Sequence, residues 1–121
     1  MNVFQKLKAS LRLREAVKKA KDAHSRIGER YYVMPLSGSK GKLIIMDRFN
    51  FRKLKQKGYI SYEAHVRDLE KECFYFTPYR NGTCGIVPEV ENFKRQQYYS
   101  WYAGCIRNHK KKKHHEVRSQ K

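Results

Sequence analysis

The amino-terminal segment constrains the fold most, because its apolar residues recur at helical spacing until a glycine interrupts them. The stripe begins with Phe4, Leu7 and Leu11 and continues on a shifted line through Leu13, Val17, Ala20, His24 and Ile27. Gly28 follows directly and provides a C-terminal stop signal. The pattern predicts one amphipathic helix over residues 3–27, and we expect its apolar stripe to pack against the rest of the fold.

Two short apolar runs after this helix, Tyr31–Leu36 and Leu43–Met46, flank a loop of serine, glycine and lysine. Runs of this kind predict a β-hairpin. Pro35 cannot donate a backbone hydrogen bond, so its strand is expected to lie at an edge or to end there. The loop sequence SGSKGKL lacks P-loop spacing, and we interpret it as a hairpin turn, with Lys40 and Lys42 as candidates for a phosphate contact.

The middle and the end of the chain carry further signals for helices and strands. Asp47 is a candidate N-cap for a helix over residues 48–57, and Ser61 is a candidate N-cap for a second one. The segment CFYFTP predicts a short strand at residues 73–77. Pro88 suits the first turn of a last, long helix that runs into the basic tail.

These elements predict an α+β fold. It consists of an N-terminal amphipathic helix, a β-hairpin with a possible third strand, short middle helices and a long C-terminal helix with a basic tail. A chain of 121 residues has room for one core. We therefore expect a single small domain over residues 1–108 and a flexible basic tail over residues 109–121.

The charge of the chain restricts its partners. The formal net charge is +17, from 28 basic and 11 acidic residues. Residues 6–26 hold eight basic and two acidic residues, and residues 107–121 hold seven basic residues and one acidic residue. Such an excess predicts a polyanionic partner, which means nucleic acid, an anionic membrane surface or an acidic protein. The alternative is a soluble protein that its charge keeps apart from its neighbours.

Basic residues in four segments are candidates for binding phosphates. They are Lys6, Lys8, Arg12, Lys18, Lys19 and Lys21; Lys53, Lys55 and Lys57; Arg80, Lys94 and Arg95; and Lys110, Lys111, Lys112 and Lys113. The tail lysines also complement the dipole of a preceding helix and extend into solvent. For the tail by itself, the two interpretations weigh equally.

Tyrosines alternate with basic residues in CFYFTPYR and KRQQYYSWY, an arrangement that suits stacking on unpaired bases. Aromatic side chains are also ordinary core residues, and for most of these positions the core is favoured. Tyr79, Tyr98 and Tyr99 are the candidates for exposed positions that stack on bases.

A helix-turn-helix is a further hypothesis for residues 49–72, since two predicted helices meet around Gly58. Asp68, Glu70 and Glu72 place negative charge on the helix that would enter the DNA groove. Because this charge repels phosphate, the pattern disfavours the motif.

The three cysteines, Cys73, Cys84 and Cys105, are irregularly spaced and match no paired metal motif. Cys105 and His109 lie four residues apart and would share a helix face. Buried thiols are the favoured interpretation, so neither a metal nor a cofactor is predicted. The His, Asp and Glu residues form no recognisable acid–base or nucleophilic pattern, and the chain is predicted to be non-enzymatic.

The sequence shows no signal-peptide pattern and no apolar run that approaches the length of a membrane span. Irregularly spaced cysteines without a secretory signal are typical of a reducing compartment. We therefore expect a cytoplasmic protein with free thiols.

Four segments carry a resemblance to known sequences. They are LRLREAVKKAKDAH, GERYYVMPLSGSKGKLIIMDRFNFRKLKQKGYI, DLEKECFYFTPYRNGT and QQYYSWY, which together span most of the chain. In these segments the chain resembles small hypothetical proteins of gut Bacteroidales. The resemblance implies a bacterial cytoplasm, or a mobile element within it, and it assigns no role to any residue.

The sequence thus predicts a non-enzymatic, basic accessory protein that binds nucleic acid mainly through phosphates, with little sequence specificity. The alternative is a protein-interaction adaptor, in the setting of a mobile element, that binds an acidic partner. A membrane-surface protein is the third option. Contiguous cations on the folded surface favour the first function, and an exposed apolar patch on helix 3–27 favours the other two.

Overall fold

The computed structural model describes residues 1–36, 39–61 and 63–119, with side chains up to residue 108. Within these ranges the chain forms four helices and one antiparallel sheet of three strands, which confirms the predicted α+β fold. The elements are α1 (Val3–Ile27), β1 (Tyr32–Pro35), β2 (Leu43–Met46), α2 (Arg48–Gln56), α3 (Val66–Glu72), β3 (Tyr75–Phe76) and α4 (Pro88–Ser119).

Local capping explains several of these bounds. The Asn2 side chain accepts a hydrogen bond from the backbone N–H of Gln5 at 2.8 Å and starts α1. Asp47 accepts in the same way from the N–H of Asn50 at 2.8 Å and starts α2, as predicted. Pro88 begins α4, also as predicted.

The start of α3 differs from the prediction. The helix begins at Val66 rather than directly after Ser61. The backbone N–H of His65 donates to the Asp68 carboxylate at 2.8 Å. This bond caps the helix at His65, which lies later in the chain than Ser61, the residue that the sequence had indicated as N-cap.

The sheet has the strand order β2-β1-β3, with β1 in the centre. Both pairings are antiparallel, and Tyr32 lies opposite Met46 in β2 and opposite Phe76 in β3. β1 ends at Pro35, which confirms the second of the two options for that residue. The predicted third strand is present but limited to Tyr75–Phe76, because the residues before it end α3.

Helices cover both faces of the sheet. α1 packs on one face, and its core cluster contains Ala16, Ala20, Ala23, Tyr31, Val33 and Tyr75. α2 and α3 pack on the other face, and their cluster contains Tyr32, Met46, Phe51, Leu69, Cys73 and Phe76. The strand residues of the first cluster have odd numbers and those of the second have even numbers. This follows because successive side chains of a strand point to opposite faces of the sheet.

The fully buried apolar residues of α1 are alanines, whereas Leu13 and Val17 are only partly buried and several larger apolar residues are exposed. Ala9 and Ala20 are fully buried, whereas Phe4 is 83% exposed and Leu7 is 58% exposed. Leu11 is exposed as well. The expectation that this stripe packs on the fold is therefore wrong for its first three members and for Ile27, which is 54% exposed. Small side chains let α1 approach the aromatic residues of the sheet and of α4 closely, and Phe4, Leu7 and Leu11 lie on the opposite side of the helix.

α4 crosses α1 near Ala9. The buried hydroxyl of Tyr98 donates to the Ala9 carbonyl at 2.6 Å. Tyr102, one turn further on, packs over Gly41 in the hairpin loop. α4 thereby holds both α1 and the loop in place. It also continues past the predicted domain boundary, and the flexibility of residues 109–121 stays a prediction.

Candidate nucleic-acid interface

A groove of about 590 Å³ lies between α1 and α4. We call it the α1–α4 groove, and its charged and stacking residues include Arg14, Lys18, Lys21, Arg95 and Tyr99. The cations outnumber the acidic residues of the described lining four to one. The groove is therefore a positively charged part of the surface with an aromatic component.

Helical spacing places these side chains on the two walls of the groove. Arg14, Lys18 and Lys21 are separated by four and three residues and thus share one face of α1. Arg95 and Tyr99 are separated by four residues and share a face of α4 in the same way. Each helix consequently contributes a row of cationic or aromatic side chains to the lining of the groove.

Glu91 is the acidic residue among the described residues that line the groove, and it already forms an ion pair with Arg95. Its carboxylate lies 3.7 Å from the guanidinium of Arg95 on the next turn of α4. An exposed pair of this kind contributes roughly 0–1 kcal/mol, so Arg95 can exchange it for an anionic ligand. On the floor of the groove, burial raises the pKa of Tyr75, and the Glu91 charge raises it further. The floor therefore stays uncharged.

The groove brings together residues that were predicted from separate segments. Lys18 and Lys21 come from the first basic segment, Arg95 comes from the third, and Tyr99 comes from the candidates for stacking. Arg14 was not among the predicted residues. Its four-residue spacing from Lys18 is the signal that identifies it, because this spacing places both cations on one helix face.

The three tyrosines that were candidates for exposed stacking positions have different surroundings. Tyr99 is half-buried and lines the α1–α4 groove. Tyr98 is fully buried, so the expectation that it is exposed is wrong. Its ring packs edge-to-face on Phe74 with the ring centres 5.3 Å apart, and burial raises its pKa. Tyr79 is 45% exposed but lies in a different cavity.

Lys94 is a structural residue rather than an exposed cation. It is buried, and its ammonium group donates to the carbonyls of Glu70 at 2.7 Å and Cys73 at 3.0 Å. These carbonyls belong to the last turn of α3 and to its C-cap, so Lys94 ties α4 to the end of α3. Lys94 is therefore removed from the predicted phosphate contacts.

Arg80 and Tyr79 line a second cavity, of about 630 Å³. The Glu29 carboxylate lies 3.5 Å from the guanidinium of Arg80 and 3.5 Å from that of Arg48. Among its described lining residues this cavity has three cations, Arg30, Arg48 and Arg80, and one of them is buried, so it is the weaker candidate for binding phosphate.

Arg30 was not singled out by the sequence, yet it organises this second cavity. Its buried guanidinium lies 4.0 Å from the ring centre of Tyr79 and 4.4 Å from that of Phe76. It also donates to the carbonyls of Thr77, at 2.8 Å, and Cys84. Arg30 thus holds the segment that carries Thr77 and Cys84 against the sheet, and it covers the ring of Tyr79. That ring is therefore less accessible for stacking on a base.

The remaining predicted cations are dispersed. Exposed positions are held by Lys6, Lys8, Lys19, Lys53 and Lys57. Lys55 is half-buried and donates to the Ala64 carbonyl at 2.6 Å. Arg12 donates to the Lys40 carbonyl at 2.7 Å and lies 5.7 Å from the ring centre of Tyr102, which fastens the hairpin loop to α1. Outside the described side chains lie Lys110, Lys111, Lys112 and Lys113.

An apolar patch is exposed at the start of α1. We define the amino-terminal patch as Met1, Val3, Phe4, Leu7 and Leu11, all of which are exposed. Lys6 and Lys8 are exposed beside it. A ridge of this kind fits the groove of a partner or an interface rather than a small ligand. Within the described ranges, no helix has the length and apolar content that a membrane crossing requires.

The cysteines are free and lie apart. Cys73 is buried, Cys105 is half-buried and Cys84 is exposed. Among the described residues, no group of three or more His, Cys, Asp or Glu side chains is placed to hold a metal ion. The ring of His109 lies outside the described side chains, so its pairing with Cys105 is untested.

Comparison with protein-family models, with curated proteins and with solved structures finds no match to the chain. No relative therefore assigns a role to the α1–α4 groove or to the second cavity.

Proposed function

We propose that the chain binds nucleic acid through its phosphates, with little sequence specificity, and that the α1–α4 groove is the main contact. One observation supports this above the others: Arg14, Lys18 and Lys21 converge with Arg95 on a single groove from two helices. Among the described residues, the two lysines form no salt bridge. Their charge is therefore available to phosphate.

Binding in this groove would be driven by the release of counterions from the nucleic acid. The logarithm of the binding constant falls with the logarithm of salt concentration, with a slope of about −0.9 per phosphate contact on a duplex and about −0.7 on a single strand. The cations of the groove thus predict a slope of roughly −3.6 for a duplex and roughly −2.8 for a single strand. Tyr99 beside Arg95 offers a partial stacking surface, which favours a single strand.

The experiment compares two triple variants that lose the same charge. The groove variant combines Arg14→Gln, Lys18→Gln and Lys21→Gln, and the control variant on α2 combines Arg52→Gln, Lys53→Gln and Lys57→Gln. All six positions are exposed, so the substitutions leave the core intact. Fluorescence anisotropy with labelled single-stranded and duplex oligonucleotides, measured across a salt series, gives the affinity and the slope for each variant of the nuclease-treated protein.

The groove variant should reduce the steepness of the slope by about one for each lost contact, and the α2 variant should change it much less. Equal losses would show that binding follows total charge and that no defined interface exists. The proposal fails if the unmodified chain does not bind either oligonucleotide near physiological salt.

The proposed setting is a bacterial cytoplasm, or a mobile element within it, as the resemblance of the sequence implies. In that setting the chain acts as an accessory protein without catalytic activity of its own. An accessory role predicts that oligonucleotides remain intact after prolonged incubation with the purified chain, which gel electrophoresis can check.

The amino-terminal patch favours a second function, that of an adaptor for an acidic partner protein. Phe4 and Leu7 are exposed, Lys6 and Lys8 lie beside them, and Glu15 is the first acidic residue of the chain. A partner would therefore combine an apolar groove with an acidic rim. Cross-linking in cells would identify the partner, and titration of the purified proteins would confirm that it binds. A variant with Phe4→Gln and Leu7→Gln should then no longer bind this partner. If the variant and the unmodified chain bind the partner equally, the result would contradict this function.

A further inference from the structure

β2 lies at an edge of the sheet, and its outer side has no partner strand among the described residues. The hydrogen bonds of β1 show which residues of β2 face outward. The Val33 carbonyl accepts from the N–H of Phe74 at 2.8 Å, so the backbone polar groups of Val33 point to the β3 side. In an antiparallel pair, the residue opposite Val33, which is Ile45, then directs its own N–H and C=O away from β1.

Leu43 has the same orientation as Ile45. It lies opposite Pro35, which has no N–H to offer. The next pair agrees, because the N–H of Leu36 donates inward to the Lys42 carbonyl at 3.0 Å. β2 therefore presents the N–H and C=O groups of two residues at an open edge.

A groove of about 440 Å³ runs along this edge beneath α1. We call it the edge groove. Residues 42–45 line it on one side, and Arg12, Glu15 and Lys19 of α1 line it on the other. A strand edge beside a helix is the geometry in which an extended peptide adds to a sheet, where its main chain binds the strand and its side chains contact the helix.

We propose that the edge groove binds an extended, acidic segment of a partner protein as a fourth strand of the sheet. The segment would exchange backbone hydrogen bonds with Leu43 and Ile45. Its carboxylates, on the alternate residues that face α1, would contact Lys19, and Lys42 adds positive charge beside the same edge; both lysines are exposed. This inference goes beyond nucleic-acid binding and uses a different surface, because the described linings of the two grooves have no residue in common.

Charge complementarity argues for an acidic segment rather than a second copy of this chain. The edge groove has three cations, Arg12, Lys19 and Lys42, and one carboxylate, Glu15. A second copy paired through β2 would bring the same cations against these, in a chain whose net charge is +17. Lysines beside an open edge discourage such self-association, while they attract a strand that carries acidic residues.

The test uses a synthetic peptide of alternating glutamate and valine, acetylated and amidated at its ends, with the ¹⁵N-labelled full chain. Two control peptides carry N-methyl groups, one on every valine and the other on every glutamate. In an added strand only alternate residues turn their N–H groups to the neighbouring strand, so one methylated peptide should lose binding and the other should keep it. Hydrogen exchange of the amides of Leu43 and Ile45 should slow when the unmodified peptide is added.

A charge-reversal pair separates this groove from a general attraction to basic surfaces. Lys19→Glu with Lys42→Glu should weaken peptide binding by about tenfold, while Arg52→Glu with Lys53→Glu on α2 should leave it within about twofold. Equal losses in both variants, or equal binding by both methylated peptides, would overturn the proposal. Protection of the Leu43 and Ile45 amides that grows with protein concentration, without peptide, would identify a second copy as the occupant. The Arg14, Lys18 and Lys21 variant tests nucleic-acid binding separately, so either proposal can fail alone.

Discussion

Replacing Gly41 with alanine tests the contact that joins the hairpin loop to α4. Gly41 has a φ of 82°, and an added Cβ would lie 2.5 Å from Cε2 and 2.7 Å from Cδ2 of the Tyr102 ring. Tyr102 is buried in a cluster with Ala9, Phe74 and Tyr98, so the ring cannot move away without opening that cluster. Two penalties therefore combine: a side chain on a left-handed backbone and a steric overlap with a core residue.

The two penalties can be separated in magnitude. A residue with a Cβ in the left-handed conformation loses about 1–2 kcal/mol, and overpacking a well-packed core costs about 1–3 kcal/mol more. We expect Gly41→Ala to lower the free energy of unfolding by about 3 kcal/mol. Gly82→Ala is the matched control, because Gly82 has a φ of 80° and no atom within 4 Å of the added Cβ. Its loss should be about 1 kcal/mol.

Urea denaturation followed by the fluorescence of Trp101 measures both variants. Trp101 is the one tryptophan of the chain, and its ring centre lies 5.4 Å from that of Phe74 in the affected cluster. The difference of about 2 kcal/mol between the variants corresponds to about 8 °C in melting temperature for a domain of this size. Equal losses for the two glycines would show that only backbone conformation matters, and they would refute the packing of Tyr102 on the loop.

Three further outcomes follow from the structure. Lys94→Met should lower the free energy of unfolding by about 2 kcal/mol, because carbonyls at the end of α3 lose a charged donor, and it should leave oligonucleotide affinity unchanged in the anisotropy assay. Removal of residues 109–121 should weaken oligonucleotide binding without abolishing it, and complete loss would place the interface in the tail. Burial raises the pKa of Tyr98, so its neutral form stabilises the fold below about pH 10. Stability should therefore fall above that pH, and this fall should be smaller in Tyr98→Phe during urea titrations at increasing pH.

Helix and strand bounds could be predicted where the deciding signal is local. α1 spans Val3–Ile27, as the apolar stripe and Gly28 indicated, and β2 spans Leu43–Met46 as predicted. Asp47 and Pro88 mark the starts of α2 and α4 for the same reason. In each case the residue that sets the bound lies next to it in the sequence, so no tertiary information is needed.

Lys94 and Arg30 show what local patterns miss. Lys94 binds the carbonyl of Glu70, 24 residues earlier in the chain, and Arg30 binds the carbonyl of Thr77, 47 residues later. Lysine and arginine are rarely buried, so sequence alone assigns both to the surface. Their burial becomes favourable only because the folded chain supplies carbonyl acceptors and aromatic faces, and neither can be inferred from neighbouring residues.

The apolar stripe of α1 misled for a different reason, which is side-chain size. Leucine and phenylalanine are ordinarily better core candidates than alanine. Here the bulk of the core comes from rings on the sheet and on α4, such as Tyr31, Tyr75 and Tyr98. A core at normal packing density needs small residues opposite large ones, so α1 meets these rings with alanines. The aromatic residues of the sequence, for which the core was favoured, therefore also indicate that a neighbouring helix must present small residues to them.

The alanine face of α1 also explains how the positive charge of the chain is divided. Because that face is buried, the cations of the helix fall into rows on either side of it. Arg14, Lys18 and Lys21 line the α1–α4 groove, whereas Arg12 and Lys19 line the edge groove. A net charge of +17 alone would suggest one undivided positive surface. The helix instead separates a groove suited to phosphates from an edge suited to an acidic strand, so we expect both ligands to bind one chain together. The check is whether an oligonucleotide displaces the acidic peptide from the unmodified chain and from a variant with Lys18→Gln and Lys21→Gln. Displacement from the unmodified chain but not from the variant would show that the two ligands compete, which would contradict this separation.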